Sequence, residues 1–250
     1  MATQDPILPD PLEAVRNELN DFTYTVSHDL GAPLRSVVSF SKLIQQKYEH
    51  SLDDKGKHYL EFVTSGGEKA QAMLQGLLQY SRLRTQAKPP EPVNISALVE
   101  KCRIALKDRI SACAAFLIAD SPLPIIEADP DQLFMLFMAV LNNSLTYRRP
   151  DVALRIVITA SETQDNWKFT IEDNGIGIPA AQSTRIFGLF KRLHTDEEYA
   201  GIGMGLTLSR RIVERHGGTI GTLLAESGGV LLWFTLAKSQ THHPKEASRD

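Results

Sequence analysis

The sequence predicts an α+β protein: a dimerising helical hairpin, which forms a four-helix bundle with a second copy, followed by an α/β domain. Three observations lead there. From Pro11 to about Arg84, apolar residues such as Leu12, Val15, Leu19, Phe22 and Val26 recur three and four apart, the spacing of one helix face. Pro89, Pro90 and Pro92 then end that pattern, because proline lacks the amide hydrogen and crowds the preceding turn. Beyond them, short β-type runs alternate with helical stretches and glycine-containing segments.

Residues 1–10 read as a flexible N-terminus and 11–86 as the hairpin. A first helix over residues 11–48 would be roughly 55 Å long at 1.5 Å per residue, more than a small core can flank. Two copies covering each other's apolar faces solve this, so a homodimer is expected. Pro33, with Gly31 before it, should bend this helix just beyond His28. The break falls over residues 50–55, where Ser51 is the expected N-cap, with Asp53 and Asp54 in the first turn. Residues 87–93 are the expected linker and hinge, 94–238 the second domain and 239–250 a disordered tail. In that domain helices are expected near residues 96–110, 131–147 and 204–216. Strands are expected near 115–119, 125–128, 154–161, 167–172, 219–224 and 230–237.

A length of 250 residues suits two modest domains. No run approaches the roughly 18 apolar residues of a membrane span. The net charge of -3, with acids and bases interspersed, gives no basic face for nucleic acid. Cys102 and Cys113 have neither disulfide-framework nor metal-ligand spacing, and read as buried thiols of a reducing cytoplasm. The N-terminal MATQDPILPDPLE lacks the basic start and apolar core of an export signal, so a cytoplasmic location is expected. It is also too short for a sensory domain. Either a separate sensor docks on the hairpin, or the chain is the core of a longer polypeptide.

Four segments carry chemistry. In Ser27-His28-Asp29, a neutral imidazole is a competent nitrogen nucleophile and the adjacent Asp29 can take or orient its proton. Alone, the tripeptide is far more often a surface histidine beside an acid; the other segments reverse that. In Asp173-Asn174-Gly175-Ile176-Gly177, a carboxylate at a strand end can accept from an exocyclic amine such as that of adenine, and the glycines admit a flat ligand; alone it is also a turn. Gly201-Ile202-Gly203-Met204-Gly205-Leu206 opens a helix whose bare amides suit phosphate oxygens, or else is a ligand-free loop. Its spacing is not that of a dinucleotide-binding fingerprint. On the helix before Asp173, the amide of Asn143 can complete a magnesium shell and Arg148 can add charge near phosphates, although Asn142 and Asn143 are also ordinary polar-face residues.

These segments, in this order, resemble the H, N, G1, F and G2 boxes of two-component sensor histidine kinases. FTYTVSHDLGAPLR (residues 22–35) and RIFGLFKRLHTDEEYAGIGMGLTLSRRIVERHGG (185–218) are most similar to the phytochrome-type subgroup. The resemblance implies a HisKA-type dimerisation hairpin followed by a Bergerat-type α/β sandwich that binds ATP and Mg2+. It implies that His28 is the phosphorylated residue, Asp29 its proton acceptor, Asp173 the adenine contact and Asn143 the magnesium ligand. Tyr147 and Arg148 fall with Asn143 in the N box, and Gly175, Gly177, Gly201, Gly203, Gly205 and Leu206 in the glycine boxes. Phe187 and Phe190 match the F box, Arg192 and His194 lie near the phosphates, and residues 195–200 form the mobile lid. The implied activity is ATP-dependent autophosphorylation on His28, then transfer to an aspartate of a response-regulator receiver domain.

The chain departs from the family pattern at four positions. Ala139 and Thr146 stand where an asparagine and a lysine are usual, Ile202 where threonine is common between the G2 glycines, and Ala32 where phosphatase-competent members carry threonine or asparagine. The first three weaken the magnesium and phosphate side, and the fourth implies little phosphatase activity. A degenerate kinase serving as a phosphotransfer or docking module is therefore the alternative. A chaperone- or topoisomerase-like ATPase is a weaker one, because it gives the His28 hairpin no role.

Overall fold

The structure, a computed structural model, describes residues 11–120, 122–195, 198–199 and 201–238, with side chains described for 25–27, 29–83 and the described residues from 85 onward. The chain divides into two compact units between Thr85 and Gln86.

The first unit is a hairpin of α1 (Pro11–Tyr48) and α2 (Asp54–Thr85), joined through a 3-10 turn at Glu49–Ser51. Pro33 lies inside α1, which is a single helix from Pro11 to Tyr48. Ser51 is not the cap of α2. It lies in the 3-10 turn, Leu52 is extended, and Asp53 takes the capping role, its Oδ1 accepting from Gly56 N at 2.8 Å. The two helices touch where Gly67 meets the buried Val38: a Cβ at Gly67 would stand 2.5 Å from Val38 Cγ2, so only glycine permits this approach. Lys42 and Glu68 pair across the helices at 2.6 Å. The side chains of Leu12, Val15, Leu19 and Phe22 lie outside the described residues, and Val26 is half-buried. Phe40 and Phe62 are 65% and 75% exposed, with Val37, Ile44, Tyr59 and Val63 also open to solvent. One hairpin therefore leaves a long apolar surface uncovered.

The second unit begins with β1 (Glu91–Asn94), α3 (Ile95–Ala105), α4 (Lys107–Ala112), β2 (Phe116–Ala119) and β3 (Ile125–Ala128). It continues with α5 (Pro130–Thr146), β4 (Arg155–Glu162), β5 (Asn166–Asp173), α6 (Gly205–Arg215), β6 (Ile220–Leu224) and β7 (Val230–Ala237). The main sheet has the order β2-β4-β5-β7-β6, antiparallel except for β2 beside β4; β1 and β3 form a separate antiparallel ladder. Two expectations change. Residues 91–93, read as linker, belong to β1, where Pro92 is tolerated because a two-stranded ladder leaves one side of β1 without hydrogen-bonded neighbours. The single helix expected over residues 96–110 is two helices, which part at Leu106 as that residue turns into the core at 4% exposure.

The α5–α6 layer packs on one sheet face. Inward positions alternate along β5 (Phe169, Ile171, Asp173) and β7 (Leu232, Phe234, Leu236), as a half-buried sheet requires. Phe169 and Phe234 stack at 5.1 Å, and Phe137 of α5 meets both edge-on. Asp129 fixes the start of α5: Oδ1 accepts from Asp131 N and Gln132 N, and Pro130 sits where its missing N–H costs nothing. Asp129 Oδ2 accepts from Lys88 N at 2.8 Å, tying the entering chain to the same point. Cys102 is buried, which pushes its thiol up to about 12, but Cys113 is half-buried, against the expectation for it. Among the described residues no helix is long and apolar enough to cross a membrane.

Candidate active site

A pocket in the second unit opens between α5, the ends of β5 and β7, and the N-terminus of α6. Asp173 closes β5 on the inward side, so strand alternation carries its carboxylate beneath the helix layer, where it is 8% exposed. Three donors hold it: Ser144 Oγ to Oδ2 at 2.8 Å, and Gly175 N and Val230 N to Oδ1 at 3.0 and 3.1 Å. An oriented carboxylate with lone pairs remaining is suited to an exocyclic amine at the pocket floor. Ile171, Ile176 and Ile178 give the apolar flank that a flat ring needs.

At the other end, Gly201, Gly203, Gly205 and Leu206 line the pocket where α6 begins. Gly203 has φ +72°, and a Cβ there would stand 2.7 Å from Lys191 O, so the loop entering α6 needs glycine at this point. That contact fixes the loop against the turn holding Phe190, itself at φ +56°. Thr207 Oγ1 donates to Gly188 O at 2.8 Å and ties the same turn to α6. Asn143 lines the pocket from α5; a Cβ at Gly205 would lie 3.9 Å from Asn143 Oδ1 and 3.7 Å from Ala139 Cβ. The amide oxygen thus stands beside the positive end of α6, where a polyphosphate fits. A magnesium ion that rests mainly on phosphate oxygens and water needs only one or two protein oxygens. Asn143 offers one such oxygen, and no cluster of three His, Cys, Asp or Glu exists among the described residues.

Tyr147, Asp173, Gly177, Arg192 and His194 also line this pocket. The rings of Tyr147, His194 and Tyr199 pack together at 4.8–5.7 Å between centroids. The Arg192 guanidinium holds carbonyls of its own loop, Thr195 O at 3.0 Å and Tyr199 O. Four expected site residues do not line the pocket. Gly175 packs against Tyr147 O, Phe187 is buried, and Phe190 is half-buried. Arg148 folds back onto Leu145 O at 3.2 Å, satisfying one of the carbonyls that a helix C-terminus leaves without a partner. Its neighbour Arg149 instead braces the glycine loops, donating to Gly175 O at 2.9 Å and Ser227 O at 3.2 Å. In the hairpin, Asp29 is exposed on α1, while the His28 side chain lies outside the described residues.

The sequence reading missed Ile171, Ser144 and Val230. Period-two alternation places Ile171 on the Asp173 face and could have found it; nothing in sequence marks Ser144 or the Val230 amide as partners of Asp173.

Residues 18–86 match the family described as His Kinase A (phospho-acceptor) domain, and residues 128–240 the Histidine kinase-, DNA gyrase B-, and HSP90-like ATPase family. The two units are thus a phospho-acceptor hairpin and a Bergerat-type ATP-binding domain. The chain belongs to the two-component sensor histidine kinases. It is 35% identical over 92% of its length to cyanobacterial phytochrome A of Nostoc sp. and 32% identical over 90% to phytochrome-like protein Cph1 of Synechocystis sp.. It spans about 30% of the length of each of these relatives. Among solved structures, full-length ShkA in complex with AMPPNP shares the fold, with a TM-score of 0.64 and 24% identity over 88% of this chain and 46% of that one. Acinetobacter baumannii AdeS shares it at 0.58 and 19% identity, over 83% of this chain and 98% of that one.

Proposed function

We propose that the chain is an autokinase core: it transfers the γ-phosphoryl group of ATP to His28 and passes it to an aspartate of a response-regulator receiver domain. The observation that carries this reading is the union, in one chain of this family, of a histidine-bearing hairpin and a pocket where Asp173, Asn143 and the glycine-opened α6 converge. A neutral His28 nitrogen attacks the γ-phosphorus, the bond to the β,γ-bridging oxygen breaks, ADP leaves with the electron pair, and the imidazole proton passes to Asp29. Asp173 receives the adenine amine, and the α6 amides receive phosphate oxygens. Magnesium, held by Asn143, supplies neutralising charge on the phosphates when bound. The boundary at Thr85 and Gln86, just ahead of Lys88, is the place for the movement that brings nucleotide to histidine.

The working form is a homodimer through the hairpin, supported by the exposed apolar residues of α1 and α2. Its place is the cytoplasm, supported by two free cysteines and the lack of a membrane-crossing helix among the described residues. Input comes from a separate sensor or from further parts of a longer chain.

Ala139, Thr146 and Ile202 favour a second reading, a phosphotransfer module without autokinase activity. The test is γ-labelled ATP with magnesium on one sample and a phosphorylated receiver domain on another. Acid-labile, base-stable label from ATP supports the autokinase. Label from the receiver alone, with ATP still bound, leaves the phosphotransfer module.

A further inference from the structure

Arg109 lies on α4, outside every motif segment of the sequence, yet its guanidinium reaches across to the edge of the pocket. It donates to Asn142 Oδ1 and, at 3.0 Å, to Thr146 Oγ1. Thr146 lines the pocket one turn beyond Asn143 and passes its own hydroxyl hydrogen to Asn142 O at 2.7 Å. Both acceptors of Arg109 are neutral, and among the described residues no carboxylate pairs with it. An exposed guanidinium has five N–H donors and a permanent charge. Here two donors fix its place, and the others, with the full charge, remain beside Thr146, a neutral residue of the pocket lining.

We propose that Arg109 is a ligand for the phosphate groups of the bound nucleoside triphosphate, supplying from α4 the positive charge that Thr146 does not. This rests on the ATP-binding reading above. Thr146 is then a positioning residue: its hydroxyl, oriented by Asn142 O, holds the guanidinium at the rim. A lysine at 146 would compete for the same space and the same phosphates, so threonine at 146 and arginine at 109 form one arrangement.

The test is calorimetric titration of the full chain with magnesium AMP-PNP and with adenosine, for the parent, Arg109→Ala and Arg109→Lys. Arg109→Ala should weaken AMP-PNP about tenfold, the equivalent of about 1.4 kcal/mol, and leave adenosine unchanged. Arg109→Lys should fall between, because it keeps the charge but loses the fork. The AMP-PNP affinity of the parent should also decline more steeply with salt than that of Arg109→Ala. Equal AMP-PNP affinity in parent and Arg109→Ala would overturn the proposal, as would an equal loss for adenosine, which would make Arg109 a brace between α4 and α5. A folded parent that binds neither ligand would instead overturn the nucleotide reading beneath it.

Discussion

The Ser144 hydroxyl donates to Asp173 Oδ2 at 2.8 Å inside the pocket, leaving Oδ1 to the amides of Gly175 and Val230. The carboxylate is held by a side chain on one oxygen and by backbone on the other. Asp173→Asn keeps the shape, but its NH2 group would face either two amide donors or the Ser144 hydroxyl. A hydrogen bond to a charged group is worth about 1.5–3 kcal/mol, so Ser144→Ala should weaken ATP binding roughly tenfold and Asp173→Asn by more. Titration with ATP and GTP checks both, the loss being larger for ATP, whose base offers an exocyclic amine where guanine offers a carbonyl.

His216 is 2% exposed; its Nε2 accepts from Asp129 N at 3.2 Å and its Nδ1 faces Ile212 O at 2.8 Å. With Nε2 accepting, the neutral ring carries its hydrogen on Nδ1. Burial lowers its pKa, with the neighbouring Arg215 acting in the same direction. The unfolded chain therefore takes up this proton first as pH falls. His216 thus contributes stability that is present above about pH 6.5 and is lost as pH drops through the lower folded-state value. Urea denaturation at pH 7.5 and 5.5 should show a loss in the parent that is reduced in His216→Gln.

Among the described residues of the hairpin, Phe62, at 75%, and Phe40, at 65%, stay largely exposed after its own helices have packed. Each is worth about 1.5–3 kcal/mol when buried, and a two-fold interface counts it twice. Phe62→Asp together with Phe40→Asp should convert a dimer to a folded monomer at micromolar concentration. Light scattering reads the mass, and unchanged helical circular dichroism shows the hairpin intact.

The two thiols should separate by reactivity. Cys102 is buried and its pKa is pushed up to about 12, whereas Cys113 is half-buried with its Sγ 3.1 Å from Arg109 O. Iodoacetamide at pH 8 should modify Cys113 in the native chain and reach Cys102 only after denaturation, as peptide mass mapping would show.

The helical pattern marked the two long helices because helix periodicity is a local property, whereas the prolines, read as linker, lie within the second unit, which starts at Gln86 and not at residue 94. The strands over residues 125–128 and 230–237 were legible for the same reason. What escaped was non-local. The split at Leu106 depends on where the core lies, and β1 with its Pro92 depends on a partner, β3, more than 30 residues on. In the site, glycine spacing and the Asp173 strand end marked both walls. The roles of Ser144, Arg149 and Arg109 rest on contacts between segments 26–78 residues apart. Arg148, the arginine picked for its place in the motif, caps its own helix instead.

His28 is the proposed acceptor of the γ-phosphoryl group of ATP. The direct measurement is mass-spectrometric mapping of the chain after incubation with magnesium ATP, kept at neutral to basic pH throughout, beside His28→Ala. A single added phosphoryl group on His28, absent from the variant, is the expected result. An unmodified His28 in a folded, ATP-binding parent, or a phosphoryl group that persists in His28→Ala, would contradict it.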